Sequence, residues 1–282
     1  MGKAWPALEI ALSSDDPALR DRLLAAIDDF QPTALEEPDE ASHLRAYFAT
    51  AESRDAAARV VAGSFGDAVS TEALDVPDDD WAERSQAGLE AVFVRALVIA
   101  PPWQADRYRG GQLGVIVIQP SMGFGTGHHA TTRLTLEALQ RIDLRGKIMV
   151  DIGCGSGVLA LAAAALGAAN AIGIDVDPDA LANAADNLER NGLTGTVRFE
   201  EGDFRQRPQP GDVVAANLTG ALLAGSARDL AATVRPGGHM VISGFMDSER
   251  DAVLRALDVF LNLEHVAQEG EWLCATYRSR HM

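Results

Sequence analysis

The sequence predicts an α/β protein in two parts, a doubly wound parallel sheet preceded by a smaller α+β domain. Three observations carry this. After Thr131, apolar strand patterns at Ile148 to Ile152, Ala171 to Asp175, Val197 to Glu201 and Val213 to Asn217 alternate with helical stretches. A glycine-rich turn, Val150 to Gly157, joins the first of these strands to a helix. Residues 1–77 instead follow the order βαββαβ, the split βαβ or ferredoxin-like arrangement.

In that first part, Leu8 to Leu12 reads as a strand. Pro17 to Phe30 reads as an amphipathic helix with Leu19, Leu23, Leu24 and Ile27 on one side. Weaker strand character follows at Thr33 to Glu36, then an extended run from Leu44 to Thr50. Ser53 is the expected N-cap of a helix through Arg54 to Ala62, and Ala68 to Val76 closes the sheet. Asp78, Asp79 and Asp80 open a polar segment whose carboxylates suit a helix N-terminus, with Trp81 available for packing. Residues 78–91 are therefore taken as a helical linker and residues 92–282 as the second domain. Its early part is strand-rich, through Val92 to Ile99 and Gln112 to Gln119, with turns at Pro101, Pro102, Gly110 and Gly111.

The 282 residues are enough for two cores. The most apolar run, Val158 to Ala169, is too short for a bilayer, and Met1 to Trp5 does not read as a signal peptide. Cys154 and Cys274 are far apart, which supports neither a disulfide framework nor a zinc cluster and fits a reducing cytoplasm. The net charge of -17 is uneven: residues 1–90 hold 7 basic and 20 acidic side chains, the remainder 17 and 21. An acidic first domain repels nucleic-acid phosphates and attracts basic surfaces, although it serves solubility equally well.

In VDIGCGSG, Gly153, Gly155 and Gly157 let the backbone turn sharply and approach a ligand. The third glycine follows the second by two residues, whereas the nicotinamide fingerprint needs three. That spacing favours a phosphate-free nucleoside, S-adenosylmethionine, resting on a flat floor. Asp175, one helix and one strand later, can accept from both ribose hydroxyls, a use shared with nicotinamide enzymes. Asp177, before Pro178, reads as the N-cap of a helix through Asn191. Asp203 is a candidate acceptor for the adenine amine or else a solvated loop residue. Asn217 ends the fourth strand, where it either orients an amine or closes an Asx turn.

The stretch QPSMGFGTGHHATTRLTLEAL, Gln119 to Leu139, precedes that turn. It resembles the signature of the PrmA methyltransferases, usually FGTGTHPTT where this chain has FGTGHHATT. The similarity continues through VDIGCGSG, AIGIDVDP, ERNG, AANL, APPW and EW, from about Asp78 onward. In residues 1–77 it is architectural only.

The resemblance implies a Rossmann-like methyltransferase domain behind a ferredoxin-like substrate-recognition domain, with S-adenosylmethionine as cofactor. It also implies methylation of lysine side chains and the N-terminal amine of ribosomal large-subunit protein eleven. Thr132, Gly153, Asp175 and Asn217 should surround the cofactor, together with Asp151, Gly155 and Asp203. Phe124, Gly125 and Thr126 should form its lid. His128 and Ala130 depart from the family pattern. His129 matches its histidine and is a candidate general base or a positioning residue; the adjacent histidines lack the neighbours of a metal site. The expected partner is a basic ribosomal protein, met by a cytoplasmic monomer that takes neither nucleic acid nor membrane as substrate. Alternatives are another protein or a small amine as substrate, a nicotinamide oxidoreductase, and a binding protein that keeps the pocket without catalysis.

Overall fold

Strand β1 (Ala4–Leu12) sends Leu8, Ile10 and Leu12 to one face and Glu9 to the other, the period of two that makes one side of a sheet apolar. It lies between β3 (His43–Tyr47) and β4 (Val69–Pro77), both antiparallel to it, while β2 (Ala34–Glu36) pairs with β3. The order β2-β3-β1-β4 is the ferredoxin-like one. Helical residues Leu19, Leu23 and Ile27 pack with Ala57 and Val61 of α1 (Ala51–Phe65) on the apolar face. The cap of α1 is Thr50 rather than Ser53: the Thr50 hydroxyl accepts the Ser53 amide, because Ala51 and Glu52 favour helix and move its start upstream.

This computed structural model describes residues 4–13, 19, 22, 23, 26, 27, 30, 32–36, 43–77, 89–120, 127–206 and 208–280. The expected linker helix from Asp78 with Trp81, and Leu24 of the first helix, lie outside them. Contacts divide the chain into compact units at 1–88 and 89–282.

The second unit begins with a small sheet of β5 (Val92–Val94), β6 (Leu97–Ala100) and β7 (Gly114–Val117). The strand-rich run from Val92 to Ile99 is a hairpin, turned at Arg95 with φ 53. Neither Arg95 nor Ala96 is a usual residue for such a turn. After helix α2 (Ala130–Leu139) come β8 (Ile148–Ile152), α3 (Val158–Ala165), β9 (Asn170–Asp175), α4 (Pro178–Asn191), β10 (Val197–Glu201) and β11 (Gly211–Asn217). Then follow β12 (Val234–Met246), α5 (Arg250–Asp258), β13 (Leu261–Glu269) and β14 (Trp272–Ser279).

The main sheet runs β10-β9-β8-β11-β12-β14-β13, with β14 antiparallel to both neighbours and β10 to β12 parallel. Its central strands are apolar on both faces because helices cover both. Met149, Val213 and Val241 meet α2 and α3 on one side. Val150, Val214 and Ile242 meet Leu223, Leu230, Val253 and Leu257 on the other. Ala160, Leu161, Ala162 and Ala163 are fully buried, and the three alanines let α3 lie close against the sheet below the glycine turn. Among the described residues, no helix is long and apolar enough to cross a membrane.

Candidate active site

The carboxyl ends of β8, β9 and β11 lie side by side, so the residues that leave them converge. At the end of β8 the chain turns through Gly153, Gly155 and Gly157 with φ of 70, 51 and 79, conformations that side chains resist. The Gly153 and Cys154 amides donate to the Ile174 carbonyl at 2.8 and 3.1 Å, tying the turn to β9. A Cβ on Gly153 would come 2.5 Å from Leu218 Cδ2, so the turn also fits closely against the residue after Asn217.

Asp175 joins this arrangement directly. Its Oδ2 accepts the Gly155 amide at 2.9 Å and its Oδ1 the Asp177 amide at 3.1 Å. A carboxylate has about four acceptor positions, so each oxygen keeps capacity for a further hydroxyl. Asp177 caps α4 by accepting the Asp179 amide at 2.9 Å, the N-cap role its place before Pro178 predicts.

Asp151 is fully buried on the α3 side of β8. Its Oδ2 accepts the Ala160 amide at 3.3 Å, and among the described residues Oδ1 meets no hydrogen-bond partner. Burial pushes its carboxyl up to about 7; the negative Asp175 adds to the rise and the Ala160 amide opposes it.

Asn217 is half-buried at the end of β11, paired with Ser243 across the sheet. The Leu218 amide donates to the Ser243 carbonyl at 2.9 Å, turning the chain away beyond it. Gly244, with φ 93, leaves space there for the Leu218 backbone.

The other expected residues are placed differently. Asp203 gives both oxygens to Arg205, whose Nε lies at 2.9 and 3.0 Å, and the guanidinium holds its carboxyl below the ordinary range. An adenine contact there would compete with this ion pair. Thr132 is buried in the first turn of α2, and among the described residues no hydrogen bond joins it to the glycine turn. His129 is the N-cap of α2: its Nδ1 accepts the Thr131 amide at 3.4 Å and lies 2.8 Å from the Thr131 hydroxyl. Its ring stands edge-on to Trp272, centroids 4.7 Å apart. His128 Nε2 lies 3.0 Å from the Glu90 carbonyl. Phe124, Gly125 and Thr126 lie outside the described residues.

Sequence reasoning missed Asn187. This residue of α4 is fully buried and bonds to both Gln119 and Ser156, joining the end of β7 to the glycine turn. The only signal was asparagine at positions 183, 187 and 191 of one helix, a residue that helix interiors disfavour.

The fold agrees with the comparisons to known proteins. A family described as Ribosomal protein L11 methyltransferase (PrmA) matches residues 11–280. The chain belongs to that family. A ribosomal protein L11 methyltransferase of Deinococcus radiodurans is 40% identical over 213 residues, covering 71% of this chain and 78% of the relative. Another, from Geobacter sulfurreducens, is 38% identical over 275 residues, covering 90% and 87%. A crystal structure of ribosomal protein L11 methylase from Lactobacillus delbrueckii subsp. bulgaricus superposes with a TM-score of 0.60 at 22% identity, covering 68% of this chain and all but 1% of that one, and it supports the fold alone.

As a member of the family the chain is an S-adenosylmethionine-dependent methyltransferase. The arrangement suits that cofactor: three glycines in left-handed conformations form a tight backbone turn at the strand end, and the Asp175 oxygens keep acceptor capacity beside it.

Proposed function

We propose that the chain methylates ribosomal protein L11 on lysine side chains and on its N-terminal amine, acting as a cytoplasmic monomer. The bond between the Gly155 amide and the Asp175 carboxylate carries the reading of the pocket, and the shared description of the relatives supports the substrate. Residues 1–77 recognise the basic substrate, 78–91 link the domains and 92–282 hold the catalytic machinery. Neither nucleic acid nor membrane is the substrate.

Bound S-adenosylmethionine supplies an electrophilic methyl group. Gly153 and Gly155 support its methionine part, Asp175 takes the ribose hydroxyls, and Asp151, Thr132 and Asp203 complete the surroundings. Asn217 accepts N–H bonds from the incoming amine and aims the nitrogen lone pair. His129 acts by position, capping the helix that carries Thr132.

The amine must arrive uncharged. Deprotonating a lysine of pKa 10.4 at pH 7 costs about 4.6 kcal/mol, and an α-amino group near 7.8 only about 1.1 kcal/mol. A desolvated site covers both costs without a strong base, and water takes the proton. Incubating the full chain with recombinant L11 and labelled S-adenosylmethionine should add methyl groups to L11, seen by intact mass and mapped by peptide. Labelling of another ribosomal protein with none on L11 would leave only the methyltransferase class.

A further inference from the structure

We infer that Asn187 is a positioning residue for the cofactor pocket, an inference that rests on reading the glycine turn as the cofactor floor. A buried carboxamide is costly unless both its ends are bonded. The two ends of Asn187 are bonded to distant parts of the chain. Its Oδ1 accepts the Gln119 amide at 2.8 Å, and its Nδ2 donates to the Ser156 carbonyl at 3.0 Å, with Asn183 Oδ1 at 3.5 Å.

One turn later, Asn191 makes a related clamp with a different reach. Its Oδ1 accepts the Val117 amide at 2.8 Å, and its Nδ2 donates to the Val117 and Asn187 carbonyls at 2.7 Å. Both asparagines hold the β7 segment, and only Asn187 also holds the glycine turn. By gripping the Ser156 carbonyl, Asn187 sets the plane of the peptide that enters Gly157. That peptide's N–H closes the turn on the Cys154 carbonyl at 2.8 Å. The turn is thus held from β9 by the Ile174 carbonyl and from α4 by Asn187.

The test is calorimetry of the full chain with S-adenosylhomocysteine. Asn187→Asp keeps the acceptor for Gln119 and faces the Ser156 carbonyl with oxygen in place of the donor. Its Kd should rise about tenfold, and the KM for S-adenosylmethionine with it, while kcat at saturating cofactor stays within about twofold. Asn187→Ser is the milder variant, with the same expected direction should the first not fold. Asn191→Asp should lower Tm and leave the Kd within about twofold. Equal weakening by the two Asp variants would overturn the inference, since the effect would then belong to β7. So would parental affinity in both Asn187 variants while Asp175→Ala binds weakly. Parental affinity in Asp175→Ala would instead remove the reading of the pocket, and the inference with it.

Discussion

The Gly155 amide and the Asp175 carboxylate meet at 2.9 Å, twenty residues apart in sequence, so the glycine turn and the end of the second parallel strand form one hydrogen-bonded unit. Removing the carboxylate should therefore loosen the turn as well as delete ribose acceptors. Asp175→Ala is expected to weaken S-adenosylhomocysteine about 100-fold in calorimetry, and Asp175→Asn about tenfold because one acceptor oxygen stays.

Asn217 should affect turnover more than binding. Asn217→Ala is expected to cut single-turnover methylation about 100-fold while the Kd for S-adenosylhomocysteine stays within about threefold. A rise in Kd with an unchanged rate would move Asn217 from amine orientation to cofactor binding.

Asp151 predicts a pH effect on stability. Burial raises its carboxyl from the ordinary 3.8 to about 7 in the folded chain. Between about pH 4 and 7 the folded state alone keeps this proton, so stability falls as pH rises through that window and levels off above it. Asp151→Asn lacks the titration. Its Tm measured against the parent's should improve steadily from about pH 5 to 7.5, and parallel Tm curves would refute the assignment.

Gly244 and Gly225 should respond in opposite ways to alanine. A Cβ on Gly244 would come 2.9 Å from the Leu218 amide nitrogen at a φ of 93, so Gly244→Ala should lose about 3 kcal/mol or more in urea unfolding. Gly225 is exposed at the end of a helix with nothing near its Cβ position, so Gly225→Ala should gain about 0.5 kcal/mol.

The parallel strands of the second unit were legible in the sequence because their signal is local. Ile148 to Ile152 is apolar on both faces apart from Asp151 and is followed at once by glycines, and Asp177 before Pro178 marks a helix start by chemistry that acts within one turn. Partners distant in sequence were not legible. The bonds of Asn187 reach 68 residues back to Gln119 and 31 to Ser156, and a helical asparagine otherwise reads as a solvent-facing residue. His129 as a cap escaped because Ser, Thr, Asp and Asn dominate that position. The ion pair of Asp203 with Arg205 was within reach, since the two lie only two residues apart, but nothing local told it from an adenine contact.

The place of β14 between β12 and β13 bears on how the catalytic unit is made. β12 and β13 precede in sequence the strand that separates them, so until β14 is placed each presents an open edge toward the other. Pairing β12 with β13 directly would close the gap in the wrong register. The two-residue connection at Gly270 and Glu271 guards against it, because a hairpin of adjacent strands closes faster than a pairing across the intervening α5.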